Sequence, residues 1–239
     1  YIERRVEMLS IEDNWTEIVE RIDRVASRSG RSSKDIDVVA VSKTRSVEEI
    51  EAAHKCGLLI VGENRVQEAF GKKPTTISDL KWHMIGKLQS NKVGKATELF
   101  DMIQSVDKKS LADTLNRRAE QMEKRLDILV QVNTSGVSHQ VGASPEKTLE
   151  LVCQIAEQLR FLNVKGLMTI APHSEDEGLV RESFVKVRRL AEEIVPLTSG
   201  IATMEYLSMG MSGDFEMAID EGANMVRLGT AIFGQRLLT

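Results

Sequence analysis

The residues best suited to chemistry sit at the ends of short apolar runs. Lys43 follows Asp35-Ile-Asp-Val-Val-Ala-Val-Ser42 and is followed by Thr44. It alternates in phase with Val39 and Val41, so the three side chains are expected on one face of a strand. A lysine at the mouth of an apolar barrel loses hydration, which favours its neutral amine. A neutral amine attacks a carbonyl carbon to form a Schiff base. The plain alternative is a lysine that leaves the strand into solvent, the usual place for this side chain.

A second group lies near the C-terminus. Leu207-Ser-Met-Gly-Met-Ser212 reads as a strand entering a glycine-containing turn, with a helix start expected near Ser212. Backbone N–H groups at a helix start attract anions. Gly210 and Gly213 let the backbone approach a ligand, Ser208 and Ser212 offer hydroxyls, and Met211 supplies wall. Gly229-Thr230 adds another small turn with a hydroxyl. Ordinary capping by Ser212, with Gly222 at the far end, is compatible with either role. Arg227, inside Met-Val-Arg-Leu-Gly229, needs a partner because a buried charge is costly alone. A core carboxylate or a ligand could serve, and Arg is one of the partners used by a pyridine nitrogen. An amine, an anion cradle and an interior Arg together point to pyridoxal 5′-phosphate (PLP).

These groups converge only if the elements between them close into a suitable frame. Strands are expected at 36–42, 58–63, 81–86, 102–106, 127–133, 164–170, 204–209 and 225–229. Helical patterns fill most gaps: 47–56, 91–99, 110–124, 145–159, 176–194 and 213–221. Capping residues are expected at Ser46, Ser110 and Ser144. Residues 65–80 read as a short helix plus loop. Eight strands alternating with helices make an α/β fold, a single (β/α)8 TIM barrel, in which active sites form at the C-terminal strand ends. An open doubly wound sheet is less suited, because no Gly-x-Gly-x-x-Gly follows the first strand. An extra amphipathic helix precedes the barrel, with Ile11, Trp15, Ile18, Ile22 and Val25 on one face, Ser10 as cap and Gly30 as stop. The chain is thus expected to form one domain, with a helix in 1–34 packed on a barrel in 35–239.

Composition narrows the function classes. Of 239 residues, 41% are hydrophobic and 28% charged, which excludes collagen, coiled coil and wholesale disorder. The net charge of −4 argues against a nucleic-acid partner. Two cysteines, Cys56 and Cys153, offer no zinc or thioredoxin spacing; they read as buried and inert, and suggest a reducing compartment. The N-terminus has no apolar signal core, and no apolar run approaches the ~20 residues that span a bilayer. The expectation is a soluble cytoplasmic protein with no membrane partner. Met-Ser-Gly213-Asp lacks the Gly-x-Ser-x-Gly elbow, and no histidine follows it. His83, His139 and His173 share no metal-ligand spacing, so no metal is expected, and His83 reads as a packed histidine.

Several stretches together carry a resemblance. They are Val41-Ser-Lys-Thr44, Gly62-Glu-Asn64 with Val66-Gln-Glu68, and His83-Met-Ile-Gly86 with Leu88-Gln-Ser-Asn-Lys92. Gly166-Leu-Met-Thr169, Leu207–Ser212 and Val226-Arg-Leu-Gly-Thr-Ala-Ile-Phe-Gly234 follow. In this order, nearly the whole chain resembles the pyridoxal phosphate homeostasis protein family. The resemblance implies a fold type III PLP-binding barrel, similar to the N-terminal domain of alanine racemase. It implies a Schiff base at Lys43, and phosphate contacts from the Ser208–Ser212 turn and from Gly229-Thr230. It also implies Arg227 near the pyridine nitrogen and Asn64 at the cofactor edge. Two departures stand out. Arg65 occupies a position where members often carry Tyr, and Ser138-His139-Gln140-Val-Gly142 lacks a lysine often found there. Lys92 is retained, either as a secondary anion contact or as a solvated lysine at a helix start.

The same resemblance separates a carrier from an enzyme. Related racemases use a Tyr from a second domain as the opposing base. Here the chain ends at Thr239, and its two tyrosines, Tyr1 and Tyr206, do not read as that base. The expected role is therefore binding PLP and releasing it, with PLP-dependent apo-enzymes as recipients and little or no catalysis. The alternative is a low-activity PLP-dependent amino-acid racemase. A monomer is expected.

Overall fold

A computed structural model describes residues 10–137, 140–198 and 200–235. Helix α1 (Ile11–Arg28) comes first, with Ser10 accepting from the Asp13 N–H and Asp13 returning the bond. Its buried residues, Ile18, Ile22, Val25 and Ala26, recur at helical spacing. The repeating units follow: β1 (Asp37–Val41), α2 (Val47–Lys55), β2 (Ile60–Glu63), α3 (Val66–Lys72), β3 (Lys81–Met84) and α4 (Val93–Leu99). Then come β4 (Met102–Val106), α5 (Lys109–Gln121), β5 (Leu126–Val132), α6 (Pro145–Gln158), β6 (Leu162–Thr169) and α7 (Glu177–Leu197). The last elements are β7 (Tyr206–Met211), α8 (Phe215–Asp220), β8 (Met225–Leu228) and a single turn, α9 (Thr230–Phe233).

All neighbouring strands pair in parallel, and β8 returns to β1, closing an eight-stranded barrel. Parallel neighbours require crossovers, and the intervening helices supply them. The fold is the expected TIM barrel with an added N-terminal helix. That helix packs on α8 and α9, and to a lesser extent on α2.

Two apolar layers result from the strand period of two. Val39, Ile60, Ile85, Met102, Leu129, Met168 and Met225 fill the barrel interior. Alternate residues, such as Ala40, Val61, Trp82, Val226 and Leu228, face the surrounding helices. Gly166 marks a site of close backbone approach. Its φ is +156°, and a Cβ there would lie 1.9 Å from the Tyr206 carbonyl oxygen.

Several boundaries differ from the sequence expectation. β7 runs on to Met211, because a register shift between Ser208 and Met211 lets it keep pairing with β8. α8 therefore begins at Phe215 with Asp214 at its N-cap, and Ser212 caps nothing there. Lys108, not Ser110, is the N-cap of α5. Cys56 and Cys153 are half-buried rather than buried. Ser138, His139 and Tyr1 lie outside the described residues. Among the described residues no helix is long and apolar enough to cross a membrane, and no three metal-ligating side chains cluster.

Candidate functional site

Two cavities open at the C-terminal end of the barrel. The smaller, about 240 Å³, is lined by Lys43, Met211, Ser212, Arg227, Gly229 and Thr230, with Val41, Arg45 and Gly213 completing it. Six of the nine residues singled out from the sequence thus share one cavity. Strand phase explains the placement of Lys43: Val41 packs against the interior cluster, and the side chain two residues on rises from the same face.

The other three residues stand elsewhere. Asn64 lines a larger cavity of about 730 Å³ across the mouth. Ser208 is fully buried and lies beneath the smaller cavity, not on its wall. Gly210 sits behind the wall with φ +93°, and a Cβ there would come within 2.6 Å of the Ala218 Cβ. Its lack of a side chain serves strand–helix packing.

The Ser212 hydroxyl accepts from the backbone N–H groups of Gly229 and Ala231, each at 3.2 Å. It thereby ties the end of β7 to the start of α9 and joins the two turns into one surface. Asp214 accepts from the Met211 N–H at 2.5 Å. Burial lifts the Asp214 carboxyl above its ordinary range, while that hydrogen bond and Arg227 pull it back.

Arg227 is held from below. Its Nη1 donates to the Ser208 hydroxyl and its Nη2 to the Thr169 carbonyl oxygen, both at 2.7 Å. Ser208 in turn donates to Gln104 Oε1 at 2.7 Å, and the Gln104 amide donates to His83 Nδ1 at 2.9 Å. Every link runs in one donor direction, away from the guanidinium. Burial pushes Arg227 down to about 10, still well above neutral pH, so it stays charged. Burial also pushes His83 down to about 4, which keeps the imidazole neutral and able to accept. His83 is the packed histidine that the sequence suggested. Gln104 belongs to no motif, although its phase with Met102 places it on the interior face.

A second polar group sits on the helix-facing side of the strands, between the barrel and α3. Glu63 is fully buried and accepts from the Ser42 hydroxyl and from Lys72 Nζ, both at 2.7 Å. Lys72 also donates to the Ser42 carbonyl oxygen at 2.8 Å, and Glu68 accepts from the Thr44 N–H at 3.0 Å. The backbone on each side of Lys43 is therefore tied to α3. Thr44 has φ +64°, a left-handed conformation uncommon outside glycine. The i,i+4 spacing of Glu68 and Lys72, at 3.7 Å in the fold, is local, but no sequence signal marked Lys72 as the partner of Glu63 and Ser42, which come from other segments.

The donor chemistry of the smaller cavity fits a phosphorylated aldehyde: a primary amine, an interior guanidinium, two hydroxyls and small turn residues. A family model described as the alanine racemase N-terminal domain matches residues 14–237. A pyridoxal phosphate homeostasis protein of Aquifex aeolicus is 41% identical over 226 residues, covering 94% of this chain and 97% of that protein. The chain belongs to the pyridoxal phosphate homeostasis protein family.

Solved structures agree with membership of this family. PipY of Synechococcus elongatus, determined with PLP bound, superposes with a TM-score of 0.79 at 36% identity, over 90% of this chain and 100% of that one. Alanine racemase of Clostridium difficile gives a TM-score of 0.77 at 15% identity, over 94% of this chain and 57% of that one, a likeness of fold.

Proposed function

We propose that this chain binds PLP as a Schiff base on Lys43 and serves in PLP homeostasis and delivery, with little or no catalysis of its own. The observation that carries this reading is the shared cavity of Lys43, Arg227, Ser212, Gly229 and Thr230. The cofactor, when bound, supplies an aldehyde carbon that condenses with a primary amine and loses water.

The chain's own residues would divide the binding. Lys43 presents the amine from a backbone clamped on both sides. Thr230, Ser212 and the Gly229 turn would face the phosphate, with Met211 and Gly210 forming and backing the wall. Arg227 would meet the ring nitrogen, held there by Ser208 and Thr169. Because Arg227 stays protonated, it would disfavour a proton on that nitrogen and so make the ring a weaker electron sink. Asn64, across the mouth, would bound the cofactor edge.

Tyr206 supports a carrier over a racemase. It starts β7 at the opposite end of the barrel from Lys43, and burial is the main cause that raises its phenol to about 12. We further propose a cytoplasmic monomer whose recipients are PLP-dependent apo-enzymes.

The test is to add PLP to the purified protein and record its visible spectrum. Borohydride reduction and peptide mapping then locate the adduct, and Lys43→Ala serves as the control. A yellow species mapped to Lys43 and lost in Lys43→Ala is the expected result. The same adduct in Lys43→Ala overturns the anchor. Rapid alanine racemisation by the loaded protein overturns the carrier role.

A further inference from the structure

The larger cavity carries a pattern that PLP binding leaves unused. Its rim includes Arg65, Lys87 and Lys92, against the single carboxylate of Glu68. Among the described residues, none of these three cations makes an ion pair or a side-chain hydrogen bond, whereas Glu68 is already engaged by the Thr44 N–H at 3.0 Å and by Lys72 at 3.7 Å. Such a local surplus of positive charge is notable in a chain whose net charge is −4. Concave sites lined by one sign of charge concentrate ligands of the opposite sign.

The wall is also built rather than incidental. Gly86 packs so closely on the loop after β2 that a Cβ would lie 2.4 Å from the Asn64 carbonyl oxygen. This contact joins the strand-end loops that carry Arg65 and Lys87. Beneath them lie Ile85 and Ile170, together with Gln131, a buried amide that donates to the Val141 carbonyl oxygen at 3.1 Å. The result is an apolar and amide floor under a cationic rim, the usual plan of a small-molecule site.

We propose that this cavity binds a small polyvalent oxyanion, a polycarboxylate or a phosphate compound, through Arg65, Lys87 and Lys92. Glu68 couples it to Lys43. The same carboxylate that borders the cavity holds the Thr44 N–H, and its neighbour Lys72 holds the Ser42 carbonyl oxygen. An anion beside Glu68 repels it and loosens the clamp on the Lys43 backbone. Neither claim requires Lys43 to carry a cofactor, so both are tested without one.

The experiment follows backbone amide shifts of ¹⁵N-labelled full chain, without PLP, on titration at constant ionic strength. Citrate and inorganic pyrophosphate are the two probes. Saturable shifts in 65–68 and 86–89, with Thr44 following, are expected. Saturation by citrate alone assigns the site to carboxylates, by pyrophosphate alone to phosphates, and by both to oxyanions in general. Lys87→Ala combined with Lys92→Ala is expected to weaken binding by about tenfold or more. Should that double variant not fold, Lys87→Glu alone, at an exposed position, tests the same charge. In Glu68→Gln the 86–89 amides still shift while Thr44 does not. Non-saturating shifts, shifts confined to Ser212, Gly229 and Thr230, or unchanged affinity in the charge variants would overturn the site. A Thr44 amide that still follows the ligand in Glu68→Gln would overturn the coupling.

Discussion

Arg227 donates to the Ser208 hydroxyl across 2.7 Å, and both side chains are buried inside the barrel. The serine that the sequence placed among the ligand contacts is thus a buried hydrogen-bond partner of the arginine. It receives from the guanidinium and passes its own proton toward Gln104.

Ser208→Ala removes the acceptor of Arg227 Nη1 and the donor to Gln104 together. A buried group left without its partner costs about 1–3 kcal/mol, more when charged. We expect a loss at or above the top of that range in urea unfolding. A stability change under about 0.5 kcal/mol, the size of an ordinary surface substitution, would refute the buried link.

Lys72 neutralises Glu63, a carboxylate with no exposed surface. Burial pushes the Glu63 carboxyl up, and Lys72 and Ser42 pull it back. Lys72→Met strands a buried charge, for which about 3–5 kcal/mol is typical at neutral pH. Removing Lys72 raises the carboxyl further, so Glu63 takes up a proton as the pH falls and the penalty shrinks. Chemical unfolding of both proteins at pH 7 and pH 5 measures this. A pH-independent difference would rule out the charge as its cause.

His83 is neutral in the fold, lowered from its ordinary 6.5 to about 4. Above 6.5 neither folded nor unfolded chain protonates it, and its contribution to stability is fully present. As the pH falls from 6.5 toward 4, the unfolded chain gains a proton that the folded chain refuses, and stability is lost. The full loss is on the order of 3 kcal/mol. Unfolding free energies at half-unit pH steps should show this slope in the native protein and lack it in His83→Gln. An equal slope in both would show that other groups produce it.

Gly210→Ala places a methyl 2.6 Å from the Ala218 Cβ at a backbone φ of +93°. Overpacking and backbone strain each cost about 1–3 kcal/mol. The expected result is a lower melting temperature, with the α8 contact to β7 loosened. An unchanged melting temperature would mean that the β7–α8 junction yields without cost.

The range of each interaction decides whether a sequence can reveal it. Strand and helix order could be read because their periods, two and 3.6, are local, and so could the position of Lys43 in phase with Val39 and Val41. Arg227 could be flagged because a charge in a four-residue apolar strand violates that local pattern. The length of β7 could not: its register shift depends on β8, which lies beyond the α8 helix. The partition of the site likewise depended on closure. Asn64 and Lys43 leave neighbouring strands, yet only the curvature of the barrel mouth sends them to different cavities. Gln104, His83 and Ser208 come from β4, β3 and β7, and the donor chain they form exists only once eight strands enclose them. Local periodicity sets which elements form and which faces they bury, because hydrophobic burial acts residue by residue along each period. Closure of the barrel sets which polar groups meet, because hydrogen bonds and buried charges depend on distances of about 3 Å between segments far apart in the chain.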